Sequence, residues 1–328
     1  MRRLLGGVRR WLRHARPRPL ILMYHRVAEP RTDPWGLAVR PDHFEQHLAV
    51  LRRSRCVLPM SELLQRLEHR TLPAHAAAVT FDDGYADNFH QASPRLAVAS
   101  MPATLFVTTG AVGQRTEYWW DELARLILLH DGRVDQDVLV AGQRWHLAFS
   151  ERSAVNRWRA LDEPPGRREA AYMCLWRRLR DLSAEMRESV MNALRASLNA
   201  PPVDPKDLPM TAQELAALAT GGLFEFGGHT VTHPALPMIA AAQRRQEILE
   251  GKLACERITG TSLSGFAYPH GALDHDSRAA VEECGFTWAC STASAPLSRG
   301  FDRFALPRLW VHDWDGAAFE AALQAACA

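Results

Sequence analysis

Two histidines four residues apart stand in the segment FGGHTVTHP, which covers residues 226–234. Imidazole nitrogens at this spacing suit a divalent metal ion. Because a proline follows His233 and disfavours the α conformation there, we expect His229 and His233 on a loop or irregular turn. A His-x-x-x-His pair is common by chance, so the hypothesis of a metal site needs a further ligand.

Two adjacent aspartates can supply that ligand. Asp82 and Asp83 stand before Gly84, at the end of the apolar run AAAVTF. Neighbouring side chains of a regular strand point to opposite faces, but Gly84 permits a turn that lets both carboxylates converge. Carboxylates this close repel each other unless a cation lies beside them. One would act as metal ligand and the other as base, which with His229 and His233 indicates a two-histidine, one-carboxylate site open to water and substrate.

Seven short apolar runs, separated by stretches with helical spacing, must position these groups. Continuous runs rich in β-branched or aromatic residues are typical of buried parallel strands. Their alternation with helices predicts an α/β fold with a parallel sheet or barrel, in which the site lies at the carboxyl ends of the strands. The predicted strands are 20–24, 76–81, 103–108, 223–227, 265–268, 286–290 and 304–311, and the predicted helices are 41–53, 60–68, 88–99, 212–219 and 236–258.

One stretch, from about residue 115 to residue 207, departs from this alternation. It has mostly helical spacing and leaves through the proline-rich segment PPVDP. We interpret it as a helical insertion between two strands that caps the strand ends. We interpret its tryptophans as core residues rather than as a sugar-stacking platform: Trp119, Trp120, Trp145, Trp158 and Trp176.

Several motifs along the chain resemble those of the polysaccharide deacetylases, the NodB-homology group of metal-dependent carbohydrate esterases. The motifs TFDDG (80–84) and HTVTH (229–233) carry the resemblance, and MYHRV (23–27), FAYPHG (266–271) and LPR (306–308) support it. The resemblance runs from about residue 20 to 312 and omits only the insertion. It implies a distorted (β/α) barrel, usually of seven strands, which agrees with the seven apolar runs.

The resemblance also implies a role for each motif residue. Asp82 would be the general base, and Asp83 would be the metal ligand beside His229 and His233. The backbone N–H of Tyr85 would help to hold the oxyanion. The segment Tyr268, Pro269 and His270 would contact substrate, and His270 stands where tyrosine is usual in the family.

The chain departs from the family pattern at two points. Many members carry an arginine before the Pro-Tyr-Gly motif to orient the base, whereas this chain has GFA at 265–267. Arg308 could supply that charge from the last strand, because both strands end on the same face. The usual late Leu-x-His acid is not evident. Three histidines are candidates for the general acid, with His25 slightly ahead of His312 and His270.

These observations predict a metal-dependent hydrolase that removes the N-acetyl group of an amino sugar in a glycan or lipid-linked glycan precursor. A different metal-dependent C–N hydrolase that acts on a small amide is one alternative. A catalytically inactive glycan-binding module is the other, although it would need loss of a ligand or of the base. Zinc is the expected metal, and cobalt, nickel or iron would fit the same ligands.

The composition excludes several other classes of protein. The 328 residues are 47% hydrophobic and 23% charged, as in globular chains. A net charge of +2 provides no field that would attract nucleic acid. No apolar run reaches the roughly 18 residues that a membrane span requires. The six cysteines contain no C-x-x-C pair, which argues against a thiolate zinc site.

Residues 1–18 form a basic N-terminal segment ahead of the catalytic domain, which we assign to residues 19–328. Its apolar residues (Leu4, Leu5, Val8, Trp11 and Leu12) fall on one helical face opposite seven arginines, a pattern typical of a membrane-surface anchor. A solvated tail is an equal alternative, because two glycines interrupt the helix. The arginines also leave no apolar region for a signal peptide. We therefore expect a cytoplasmic protein that contacts the inner face of the membrane peripherally.

Overall fold

The secondary structure follows the predicted alternation closely. The computed structural model describes residues 18–140, 142–150, 158–198, 200–298 and 300–327. Residues 1–17, and with them nearly all of the predicted amphipathic segment, lie outside the described residues. The strands are β1 Leu20–Tyr24, β2 Arg26–Val27, β3 Ala38–Val39, β4 Cys56–Val57, β5 Ala76–Phe81, β6 Ala103–Val107, β7 Val134–Val140, β8 Gln143–Phe149, β9 Phe224–Gly228, β10 Gly265–Ala267, β11 Trp288–Cys290 and β12 Leu309–Trp310. The helices are α1 Pro41–Ser54, α2 Met60–Glu68, α3 Ser93–Ala99, α4 Trp119–Leu128, α5 Arg167–Arg180, α6 Ala184–Ser197, α7 Ala212–Thr220, α8 Ala241–Thr259, α9 His275–Glu283 and α10 Gly316–Ala325.

The main sheet is parallel throughout. Seven strands follow each other in the order β11-β10-β9-β6-β5-β1-β12, and β4 pairs with the start of β5. The segment 303–311 joins the two edges of this sheet, because it bonds to β11 at one edge and forms β12 at the other. The Ser291 amide donates to the Leu306 carbonyl (2.8 Å), and the Val311 amide donates to the Met23 carbonyl (3.0 Å). The sheet therefore curls into the distorted seven-stranded (β/α) barrel that was predicted.

The central strands of the main sheet are buried on both faces, as expected for parallel strands covered by helices. Every residue of β1, β5 and β6 is buried. Leu20, Leu22 and Tyr24 pack in the larger core, whereas Ile21 packs with Phe106 and Trp288 from distant strands. Space inside the curl is tight, since a Cβ at Gly265 would lie 2.1 Å from the Trp288 ring.

Two predicted helices are broken where the structure places irregular turns. The predicted helix 88–99 begins as a π-helical turn, Asn88–Ala92, and continues as α3. The predicted helix 236–258 begins with a separate 3₁₀ turn, Leu236–Met238, before α8 starts at Ala241.

The insertion is not entirely helical, contrary to the sequence interpretation. It contains α4, α5 and α6, but β7 and β8 form an antiparallel hairpin with Val138 opposite Trp145. Buried and exposed residues roughly alternate along both strands, as in a half-buried hairpin. This period-2 pattern was present in the sequence. The hairpin and the three helices share a hydrophobic core of their own that includes Leu123, Tyr172 and Met191.

Within the described part of the chain, no helix has both the length and the apolar character that crossing a membrane requires.

Candidate active site

The predicted chemical groups lie together at the carboxyl ends of the parallel strands. Asp82 and Asp83 follow β5, and His229 follows β9. His25 follows β1, and Tyr268 follows β10. Strands that are far apart in sequence thus deliver their terminal residues to one face of the barrel, as the α/β architecture requires.

A sharp turn after β5 sends the two aspartates in different directions. Asp83 and Gly84 both have positive φ values, +72° and +95°, and the Gly84 amide donates to the Asp82 carbonyl (2.9 Å). Glycine adopts this conformation without strain, which explains Gly84 in the motif. Both aspartates are buried, at 3% exposure. The turn lets Asp82 face the last strand while Asp83 faces the two histidines.

The histidines lie on an irregular turn, as predicted from Pro234. Thr230 and His233 both have positive φ values (+67° and +56°), and the His233 amide donates to Thr230 Oγ1 (3.0 Å). Glu247 lies on α8, and its carboxylate accepts hydrogen bonds from the backbone amides of Val231 (2.9 Å) and Thr232 (2.8 Å). These bonds satisfy buried backbone donors in a loop that has no ladder to satisfy them.

Asp83, His229 and His233 form a compact, buried cluster. Asp83 Oδ1 lies 3.4 Å from Nε2 of His229 and 3.4 Å from Nε2 of His233. One ligand atom from each residue lies within 4.8 Å of the other two. Ligands about 2.0–2.1 Å from a tetrahedral ion would lie about 3.3–3.4 Å apart, so the two distances from Asp83 to the histidines fit such an ion.

Hydrogen bonding supports the same conclusion. His229 Nδ1 lies 2.7 Å from the Ala267 carbonyl and donates its proton there, so Nε2, which faces Asp83, is the nitrogen available to a metal ion. Asp83 Oδ1 is buried and has no hydrogen-bond partner. Burial, with the nearby charges of His270 and His229, lowers the pKa of His233 and keeps it neutral. A neutral imidazole and an unpartnered carboxylate oxygen are the donors that a divalent cation requires.

Arg308 holds the second aspartate. Its Nη1 and Nη2 donate to Asp82 Oδ1 (2.6 Å) and Oδ2 (2.7 Å), and its Nε donates to the Ser291 carbonyl (3.0 Å). The arginine is fully buried. Burial raises the pKa of Asp82, but the charge and hydrogen bonds of Arg308 lower it more, so the net pKa is below its ordinary value. Asp82 is therefore ionised and fixed in orientation.

The three candidate acids occupy different positions. His25 Nε2 lies 4.0 Å from Asp82 Oδ2, and its buried Nδ1 has no partner. The His270 ring lies 4.4 Å from the His233 ring, and burial lowers the pKa of His270 to about 3. His312 packs between Trp310 and Trp314, away from the cluster. His25 and His270 line the cavity around the cluster, whereas His312 is not among its lining residues.

That cavity has a volume of about 270 Å³. Tyr268 and His270 line it, whereas Pro269 is buried and does not line it. Four indole rings that the sequence analysis did not assign to the site also line it: Trp35, Trp120, Trp176 and Trp310. Two of them, Trp120 and Trp176, belong to the insertion, where the sequence predicts core positions for them. Nothing in their helical spacing distinguishes a core position from a cavity wall.

Comparisons with known proteins agree with this geometry. A sequence profile of the family described as "Polysaccharide deacetylase" matches residues 69–128 and 198–289. "Putative polysaccharide deacetylase YxkH" of Bacillus subtilis (strain 168) is 30% identical over 121 residues, which cover 35% of this chain and 42% of that relative. The resemblance predicted from the motifs is thereby confirmed: over these segments the chain matches the polysaccharide deacetylase family.

Solved structures show the same fold. The Streptococcus pyogenes deacetylase PplD in complex with acetate superposes with a TM-score of 0.59 at 17% identity, covering 93% of this chain and 97% of that one. IcaB from Ammonifex degensii superposes with a TM-score of 0.59 at 17% identity, covering 94% and 97%. At 17% identity, these two likenesses show that the chain shares their fold.

Proposed function

We propose that this protein is a metal-dependent hydrolase that cleaves the amide bond of an N-acetyl amino sugar and releases acetate and a free amine. The observation that carries the proposal is the Asp83–His229–His233 cluster beside the Asp82–Arg308 pair at one end of the barrel. A divalent metal held by the cluster would lower the pKa of a water molecule and polarise the acetyl carbonyl. We propose zinc, and cobalt, nickel or iron would fit the same donors.

Asp82 is placed to accept the proton of the attacking water. Each of its oxygens accepts one bond from Arg308 and keeps a second lone pair. Its lowered pKa keeps it ionised at neutral pH. The bidentate contact prevents rotation of the carboxylate, so Asp82 is held in one orientation as a base.

Tyr85 and His25 complete the proposed machinery. An isolated antiparallel β-bridge joins Tyr85 and Pro209. Its two hydrogen bonds are donated by the amides of Ala86 and Met210, so neither of them uses the Tyr85 amide. That amide is our oxyanion donor. His25 is our general acid, because it lies beside Asp82 in the cavity. It would donate a proton to the nitrogen as the C–N bond breaks.

A release assay tests this function directly. We expect acetate release from N-acetylglucosamine oligomers, loss of release after treatment with a chelator, and recovery when Zn²⁺ is added. Faster release from small amides than from the oligomers would favour the general amide hydrolase. Binding of the oligomers without acetate release, with metal present, would favour the glycan-binding module.

We further propose that the substrate is a lipid-linked glycan precursor and that the basic segment of residues 1–18 holds the protein at the inner face of the membrane. Each basic residue near an anionic surface contributes about 1 kcal/mol, so seven arginines suffice for reversible binding even after screening. We expect the full chain to float with anionic liposomes and a chain lacking residues 1–18 to stay unbound. Equal recovery of both chains in the unbound fraction would contradict the membrane proposal.

A further inference from the structure

The loop that carries Asp82 and Asp83 has a conformation that its surroundings must maintain. Asp83 is a non-glycine residue at φ +72°, a backbone region that is strained for residues with a side chain. Its carbonyl accepts two hydrogen bonds, one from the Thr108 amide (3.0 Å) and one from the Tyr118 hydroxyl (2.8 Å). The first donor belongs to the barrel, whereas the second comes from the residue just before α4 of the insertion.

The side chain of Tyr85 connects the same loop to the insertion a second time. Its hydroxyl donates to Asp121 Oδ2 (2.6 Å) and accepts from Trp120 Nε1 (2.8 Å). The Tyr85 ring is fully buried between the Arg26 guanidinium (4.5 Å) and the Tyr118 ring (4.7 Å). Tyr85 is thus fixed by both a donated and an accepted hydrogen bond, and the proposed oxyanion amide belongs to this same residue.

The insertion also contacts the metal-ligand loop. The Trp120 ring lies 4.8 Å from the ring of His233, between centroids, and it stacks on Tyr118 at 4.7 Å. One short segment of the insertion, residues 118–121, therefore contacts the loop of the two aspartates, the proposed oxyanion donor Tyr85 and the proposed metal ligand His233. No local sequence signal connects these residues, since Asp121 is 36 positions from Tyr85.

We propose that Asp121 is a positioning residue that acts through the Tyr85 hydroxyl to hold the Asp83–Tyr85 loop, and with it the Tyr85 amide, in the conformation that catalysis requires. The inference rests on the function proposed above. Asp121 Oδ2 accepts the hydrogen bond of the Tyr85 hydroxyl, so Asp121 acts through Tyr85. A role in stability alone would change the melting temperature and leave kcat of the folded enzyme unchanged.

Four variants and one control test this proposal in the zinc-loaded protein. Tyr85→Phe and Asp121→Leu each remove one partner, and we expect each to lower kcat about 10- to 100-fold with less than about a two-fold change in KM. The double variant should be no slower than the slower single variant, because Tyr85→Phe already removes the contact that Asp121→Leu breaks. Asp121→Asn retains a side-chain oxygen that can accept the hydrogen bond of the Tyr85 hydroxyl. Its kcat should therefore be close to the wild-type value and well above that of Asp121→Leu. Glu117→Gln, which disturbs a buried pair with Arg125 in the same insertion, should leave kcat unchanged.

Hydrogen exchange supplies a readout that does not depend on activity. We expect faster exchange of the backbone amides of residues 83–86 in Tyr85→Phe and Asp121→Leu, and wild-type exchange in Glu117→Gln. Additive losses in the double variant, or unchanged kcat and exchange in Tyr85→Phe, would overturn the proposal. Tyr85→Phe removes a single oxygen, so it keeps the test decisive if Asp121→Leu does not fold. If the wild type releases no acetate, the proposed function fails, and the exchange data alone decide the positioning role.

Discussion

Replacing Asp82 with asparagine is expected to lower kcat by about 10²- to 10⁴-fold while the protein keeps its metal. The substitution removes a base, whose contribution is of this size, and leaves Asp83, His229 and His233 in place. The measurement is acetate release together with metal content by elemental analysis of the same samples. A near-normal rate in Asp82→Asn would show that the base is another group.

The structure adds a consequence for stability that requires its own control. Asp82 and Arg308 are both buried, and asparagine would leave the Arg308 charge unpaired. Breaking a buried pair from one side costs about 3–5 kcal/mol. In the double variant Asp82→Asn with Arg308→Gln, this unpaired charge is removed. We therefore expect the melting temperature to recover in part and kcat to stay low. Recovery of kcat along with stability would mean that the single variant was merely unfolded.

Replacing either His229 or His233 with alanine is expected to abolish stoichiometric metal binding while the barrel stays folded. Each histidine supplies one of three protein donors, and the two remaining donors form an incomplete site. The loss should exceed the 10- to 100-fold decrease in affinity that removal of an outer partner typically causes. Asp83→Asn should lose much of the affinity for the same reason. Metal content and circular dichroism of the purified variants check both parts of the prediction.

His25→Gln is the matched control for these metal-site variants. His25 lies in the same cavity and 4.0 Å from Asp82, but it is not part of the Asp-His-His cluster. It should therefore retain the metal. Wild-type metal content in both His229→Ala and His233→Ala would show that the cluster does not hold the ion.

The parallel strands and the family could be predicted from the sequence because their signals are local. A fully buried strand requires a continuous apolar run, and the runs at 20–24 and 76–81 match β1 and β5. The residues at the ends of such runs must meet on one face of the barrel, so the sequence alone indicates that Asp83 and His229 lie together. The hairpin of β7 and β8 had a local signal too, but the helical spacing around it obscured the alternation.

Tertiary structure decided the contacts that depend on distance between remote residues. Arg308 could be proposed as the partner of Asp82, yet only packing shows a bidentate contact between residues 226 positions apart. His25, His270 and His312 are equivalent as residue types, and only their placement puts the first two in the cavity and the third outside it.

The insertion shows most clearly which features follow from local sequence and which depend on tertiary structure. Its sequence determined that helices would form, because helical spacing is a property of neighbouring residues. Whether Trp120 and Asp121 face a core or a catalytic loop depends on how the whole insertion docks on the barrel. That docking is set by the summed burial of many side chains. No short segment of sequence contains this sum, so only the folded chain could bring Asp121 to Tyr85.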